Sequence, residues 1–388
     1  MEETLGKRLP SLSPSQIHGL ALWVYGTIQS RSSCQSAVAN ALTHSMKPDA
    51  ARQALREWLR CGDDKARPTQ QEVEVSACFN DLWKWIQDLC PNGWIPLAID
   101  ATLLKDRWTA LVISFLGGGT AIPIAWHICK ANKEGEWLAP IQELLERLDA
   151  APERKVLVMT DRGLFSRTLF HSLVAKGFHP LMRLRNDIVF APSGEARRSA
   201  RELVPETNRA WVGEGRAFSD SKKRLDCTLV ALWQEGKEEP CLCLSDLPAG
   251  EVEPVWYALR MWIENGFRNL KSLGFDWERT RRRHQQRVER HWLVMAVAQL
   301  LLVAYGTRVE EAAAQNVPPC QVHCPRLRRE GTVKRAVSLV RQGWTHLRRH
   351  LTLGKLWKRL WLISGVPKPP DKLKITRFEP NKEPYIPQ

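Results

Sequence analysis

The 388-residue chain lacks an apolar run long enough to cross a bilayer. Its longest, Trp292 to Tyr305, is 14 residues and contains Gln299, so a buried helix and no membrane partner are expected. The opening Met1-Glu2-Glu3 is acidic, without the basic and apolar stretches of an export signal. Paired cysteine spacing is also missing. Ten cysteines are scattered along the chain, which excludes a disulfide scaffold and favours reduced thiols in a cytosol. Cys320, His323 and Cys324 cluster as half of a zinc site would, but no second ligand pair stands at finger spacing, so no zinc is expected. With 44% apolar and 26% charged residues, disorder and collagen are excluded as well.

Acidic charge is what the C-terminus lacks most. Over the whole chain 57 Lys and Arg face 42 Asp and Glu, a net +15 that favours an anionic partner, nucleic acid above all. The first 90 residues hold 10 basic and 10 acidic side chains, whereas residues 326–388 hold 16 and 4. There, basic residues alternate with Leu327, Val337, Trp344, Leu347 and Leu351 at helical spacing, which reads as a DNA-contacting helical region. The Pro-rich end from Pro367 to Gln388 reads as a tail.

Helices are predicted at 14–27 (capped by Ser13), 32–42, 50–59 and 71–90, a small bundle open to two readings, a groove-reading helix-turn-helix or a plain structural bundle. From residue 94 the period changes to strands at 94–100, 107–116 and 120–128, with Gly117-Gly118-Gly119 joining the last two. A helix at 136–148, a buried strand at 155–160, a helix at 165–176 and a strand at 178–185 follow. Strand-like pieces at 209–218, 224–234 and 240–244 read as a β-rich insertion, and a long helix is expected from Pro254 to about Ser272.

Asp100 and Asp161 each follow an apolar strand and are placed at its carboxyl end, where sites of α/β folds gather. Each alone reads equally as a cap or a turn former. On the expected long helix, Tyr257, Arg260, Glu264 and Lys271 fall at offsets 0, 3, 7 and 14. At roughly 100° per residue they share a stripe about 60° wide. A further run, Arg279, Arg281, Arg282, Arg283, Arg287 and Arg290, reads as a track along a DNA backbone. Of the 17 Trp, Trp211 and Trp233 are candidates for base stacking, with packing the simpler reading.

The unbroken Y-x2-R-x3-E-x6-K spacing of Tyr257, Arg260, Glu264 and Lys271, preceded by Asp161-Arg162-Gly163 and Asp100, resembles the DDE transposases of bacterial insertion sequences. The likeness covers about residues 94 to 300. It implies an α/β, ribonuclease-H-like core in which Asp100, Asp161 and Glu264 are catalytic and hold Mg2+, two ions being expected and Mn2+ able to substitute. Three carboxylates suit such hard cations without His or Cys. Tyr257, Arg260, Lys271 and Arg162 would contact DNA, as would Arg281, Arg282 and Arg283.

The partition that follows is an N-terminal helical domain over 1–90, a catalytic core over 91–185 and 253–300, a β-rich insertion over 186–252, and a basic helical C-terminal region over 301–388. The implied partner is double-stranded DNA, element ends and target, held by a homodimer on DNA in the bacterial cytoplasm, at the nucleoid when bound. The implied reaction is cleavage of element ends and joining of the 3'-hydroxyl to target DNA. A metal-dependent nuclease that never joins, and a catalytically silent DNA-binding protein, are the rivals.

Overall fold

In a computed structural model, residues 1–62, 71–90, 93–104, 107–131, 137–218, 224–272, 274–314, 337–354, 359–368 and 373–378 are described. The Cys320, His323 and Cys324 cluster lies outside them, as does much of the basic stretch after residue 326. The chain folds as two compact units, divided at Asp149/Ala150 and Arg260/Met261 rather than at 90, 185, 252 and 300.

In the first unit, α1 (Glu2–Arg8), α2 (Pro14–Ser30), α3 (Gln35–Ala41), α4 (Pro48–Leu59) and α5 (Cys78–Leu89) precede a three-stranded meander. The start of α2 is the one its sequence specifies. Ser13 Oγ accepts from the Gln16 backbone amide, Gln16 Oε1 accepts in turn from the Ser13 backbone amide at 2.8 Å, and Pro14 takes the first turn. The strands β1 (Trp94–Leu104), β2 (Trp108–Gly117) and β3 (Thr120–Lys130) pair antiparallel in the order β3-β2-β1. The turn between β2 and β3 uses Gly118 and Gly119 at φ of 64° and 87°, where a side chain is strained. α6 (Leu138–Glu146) packs on β3 and β2.

Two further helices of this unit lie on β3. They are α8 (Trp262–Leu270) and α9 (Gln285–Ala314). Residues 285–311 of α9 reach the length and mean hydropathy of a membrane span although their uninterrupted apolar run is shorter, and here most of that stretch is buried inside the unit as a core helix. Trp292 meets Trp277 edge-on at 4.9 Å, and Leu293 through Ala298 are fully buried. Each large side chain so removed from water contributes about 1.5–3 kcal/mol, which explains the apolar run without a membrane. α10 (Leu339–Thr352) packs on α9 and on α2. The N-terminal helices therefore share a core with α9 and are not a separate bundle. Arg290 of α9, 2% exposed, reinforces this by binding the carbonyls of Leu59 and Val73 and the carboxylate of Glu72 at 2.8–3.0 Å.

In the second unit, β4 (Lys155–Thr160), α7 (Arg167–Ala175) and β5 (His179–Arg183) form a parallel β-α-β crossover. The strands β6 (Val189–Pro192), β7 (Arg198–Ser199), β8 (Arg209–Ala217), β9 (Leu225–Trp233) and β10 (Cys241–Ser245) follow. They are no detached insertion, because β10 pairs antiparallel with β5 and extends one mixed sheet, β4-β5-β10-β9-β8-β6-β7. β11 (Lys374–Phe378), expected as tail, pairs parallel with β8. Its alternation puts Phe378 against Trp211, stacked at 6.0 Å, and Arg377 reaches Glu253 at 2.7 Å. Tertiary pairing orders a segment whose prolines suggested none.

Candidate active site

β4 ends at Thr160, and the next residue, Asp161, folds its side chain back over the turn. Its Oδ1 accepts from the amides of Gly163 and Leu164, both at 3.0 Å, which ties that oxygen to the backbone of the turn. Arg162, between them, is exposed.

The long helix expected from Pro254 is instead a 3-10 turn, Trp256–Met261, followed by the nine-residue α8. A stripe calculated for one continuous α-helix therefore does not apply. In a 3-10 turn side chains at i and i+3 eclipse, so Tyr257 and Arg260 still stand together. Both act on the end of β4. Tyr257 donates from its hydroxyl to the Thr160 carbonyl at 3.1 Å, and Arg260 brings its guanidinium within 3.7 Å of Asp161 Oδ2. Arg260 is 14% exposed at its side chain against 37% for Asp161, so the pair is half-sheltered from water. Burial pushes the Tyr257 phenol well above its ordinary pKa, with the nearby Cys243 and Cys241 thiols acting in the same direction and Arg260 against it. The hydroxyl is a donor throughout the neutral range.

The first unit places Asp100 and Glu264. β1 continues past Asp100 to Leu104, because Ala101, Thr102, Leu103 and Leu104 alternate out and in. Asp100 is thus mid-strand, opposite Val112, rather than at a strand end. It is half-buried, and its Oδ1 accepts from the Ala101 amide at 2.8 Å. Glu264 lies in the first turn of α8 and is exposed, making no hydrogen bond or ion pair among the described residues. Lys271 ends α8 and is held below its usual pKa by burial, with Glu278 pulling the other way.

Asn265 and Asn269, which the sequence reading passed over, set where α8 sits. Asn265 donates to the Gly119 carbonyl at 3.0 Å and Asn269 to Thr120 Oγ1 at 3.1 Å. Between them Gly266 lies so close to β3 that a Cβ there would stand 2.7 Å from Ala121 Cβ and 2.9 Å from its carbonyl oxygen. Two asparagines at i and i+4 around a glycine were the available signal.

The arginine run divides. Arg279, Arg281 and Arg283 are exposed, the first paired with Asp276 at 3.5 Å. Arg282 turns inward, donating to His291 Nδ1 and lying over the Trp23 ring at 5.5 Å, while burial lowers its pKa to about 10. Arg282 and Arg290 make packing contacts within the fold, so the run is not exposed along its whole length. Burial, with Arg282 adding to it, holds His291 well below the ordinary imidazole pKa and so neutral. Trp211 is buried between Phe190 and Phe378, and Trp233 donates to the Lys237 carbonyl at 2.8 Å beneath Arg201. Both are packing residues.

Asp100, Asp161 and Glu264 are all water-accessible oxygen donors, the ligand type a hard divalent cation selects. Asp100 and Glu264 belong to the first unit and Asp161 to the second. Among the described residues no group of three or more His, Cys, Asp or Glu side chains stands close enough to hold a metal ion.

Comparison with known proteins gives one family. Residues 120–301 match the model of the transposase DDE domain, a span that includes Asp161, Tyr257, Arg260, Glu264 and Lys271 but not Asp100. No curated protein matches the chain. Among solved structures, the chain is similar to a piggyBac transposase in a synaptic complex with hairpin DNA, determined by cryo-EM. The identity is 13%, the coverage 90% of this chain and 74% of that one, and the TM-score 0.41. Over residues 120–301, then, this chain is similar to the transposase DDE domain.

Proposed function

We propose that the chain is a DNA transposase that cuts the ends of its element by metal-dependent phosphodiester hydrolysis and joins the freed 3'-hydroxyls to target DNA. Asp100, Asp161 and Glu264 are the catalytic carboxylates of this reading. The observation that carries it is the pairing of Arg260 with Asp161 inside the segment matched to the DDE domain. The chain order of an antiparallel meander β1-β2-β3 followed by α6 and a parallel β4-α7-β5 crossover is the order of elements expected of a ribonuclease-H-like core.

Asp100, Asp161 and Glu264 would hold Mg2+, two ions in full occupancy, with Mn2+ able to replace it. Such ions, when bound, neutralise charge at phosphorus and make water a stronger nucleophile. Arg260 orients the Asp161 carboxylate, which the Gly163 and Leu164 amides fix from the other side. Tyr257 locks the strand end from which Asp161 projects. Lys271 offers a point charge and Arg162 a guanidinium fork to phosphate, and Arg281 and Arg283 extend the basic surface. Joining two ends requires two active sites, so the working form is a homodimer on duplex DNA, in the cytoplasm at the nucleoid.

The test uses a duplex carrying the inverted repeats that flank the coding region, with Mg2+ or Mn2+. Nicks leaving 3'-hydroxyls and their transfer into a second duplex are expected. Hydrolysis without transfer would replace this reading by a nuclease, and binding without either reaction by a silent DNA-binding protein.

A further inference from the structure

The paired helices α2 and α10 hold an unusual charge distribution. Neither sequence, PSQIHGLALWVYGTIQS or LVRQGWTHLRRHLT, contains a carboxylate. A solvated helix face ordinarily interleaves acids with its bases and pairs them at i and i+4. Here Arg341, Arg348 and Arg349 are exposed on α10, and Arg31 is exposed at the C-terminal end of α2. None of the four is ion-paired among the described residues. Glu2, which pairs with α2, does so at the end away from Arg31, with His18 at 2.9 Å.

The helix pair that carries these arginines is fixed, and Arg31 and Arg348 are held on it directly. Trp344 is buried between the helices and donates to the Ile28 carbonyl at 2.7 Å, which fixes α10 to the last turn of α2. The Arg31 guanidinium lies over the Trp344 ring at 5.3 Å. Gln29 clasps α10 from the same turn, donating to the Thr352 hydroxyl and the Arg348 carbonyl at 3.4 Å and accepting from Arg348 Nε at 3.5 Å. Arg341 and Arg348, seven residues apart, lie within about 20° of one face and about 10 Å apart along the axis. Burial, then His346, Arg349 and Arg308, hold His350 below its ordinary pKa, the response expected in a positive local field.

We propose that this α2–α10 face binds the phosphate backbone of duplex DNA, without reading its sequence, through Arg31, Arg341, Arg348 and Arg349. An array of uncompensated guanidiniums on a fixed surface fits a polyanion of regular charge spacing. The proposal rests on DNA as the partner and adds where, outside the carboxylates, the duplex is held. It also gives the N-terminal helices a role that their zero net charge concealed.

The test is fluorescence anisotropy with a labelled mixed-sequence duplex and the full-length protein, in the absence of divalent metal, across a range of salt concentrations. The triple substitution Arg341→Gln, Arg348→Gln, Arg349→Gln removes three cations while keeping helix-forming side chains. A control triple, Lys47→Gln, Arg52→Gln, Arg56→Gln, removes three exposed cations at α4. The expected result is a slope of log K against log salt that is shallower by roughly 2 to 3 in the α10 triple and unchanged in the control. Equal slopes for wild type and α10 triple, with thermal unfolding unchanged, would overturn the proposal. So would equal loss in both triples, which would mark general charge rather than this face. If the α10 triple unfolds, the single variants Arg341→Gln and Arg348→Gln are read instead, each expected to lower the slope by about 0.9. Wild-type protein that binds no duplex at all would contradict the transposase reading itself, an outcome distinct from failure of this face.

Discussion

Arg260 and Asp161 face each other at 3.7 Å across the junction between a 3-10 turn and the end of β4. The carboxylate is therefore gripped on both sides, by backbone amides at Oδ1 and by a guanidinium at Oδ2. Replacing Arg260 by Ala is expected to slow DNA cleavage roughly 10- to 100-fold, about 1.4 to 2.7 kcal/mol of barrier. Asp161 is exposed enough that the effect on unfolding stays below about 1 kcal/mol. Arg260→Lys should recover part of the rate. Cleavage kinetics alongside urea unfolding separate the two, and a variant that loses stability but not rate would deny Arg260 a positioning role.

Tyr257→Phe removes one hydrogen bond, to the Thr160 carbonyl, and leaves the ring in place. A loss of about 1 kcal/mol is expected in denaturant unfolding.

Burial raises the thiols of Cys78 and Cys227 from 9.0 to about 12. In the unfolded chain they ionise near 9, so the folded state binds more protons between those values. Their contribution to stability is complete below pH 9 and is lost as pH rises toward 12. The unfolding midpoint of wild type should therefore fall more steeply above pH 9 than that of a Cys78→Ala, Cys227→Ala variant. Parallel curves would show that the thiols are accessible to water.

Gly266→Ala forces α8 away from β3, because the new methyl meets the Ala121 backbone. A cost of about 1–3 kcal/mol is expected. Glu264, two residues earlier, moves with the helix, so cleavage should fall even at temperatures where the variant remains folded. Unchanged crystal position of α8 together with full activity would refute the coupling.

The arginine run gives a contrast between neighbours. Arg290→Ala leaves the Leu59 and Val73 carbonyls without their buried donor, while Glu72, 38% exposed, keeps the Gly62 amide, and the change should cost about 2–4 kcal/mol in stability. Arg281→Ala and Arg283→Ala, both exposed, should leave stability within about 0.5 kcal/mol. If these proteins bind duplex, only the exposed pair should weaken it at constant fold.

Legibility in the sequence followed locality. β4 runs over Lys155–Thr160 as its apolar block indicated, and α2 starts at the box that Ser13 and Gln16 spell out. Both depend on neighbours in the chain. β11 depends on β8, more than 150 residues earlier, and its five residues have too little local signal against flanking prolines. The Tyr257–Arg260 association was visible as spacing, but its geometry was misjudged because i, i+3 residues meet in either helix type and only hydrogen bonding tells them apart. Arg282 and Arg290 read as surface charge because a guanidinium buried on carbonyls looks the same in one dimension as one in water.

In the proposed reaction, three acids from distant segments serve one pair of cations. Fe2+ substituted for Mg2+, with ascorbate and peroxide, cuts a polypeptide next to the residues that hold it. Fragments ending near residues 100, 161 and 264, all suppressed by excess Mg2+ and all lost together in Asp161→Ala, are the predicted result. Cuts at only one of the three segments, or three cuts that respond independently to Asp161→Ala, would contradict a shared site.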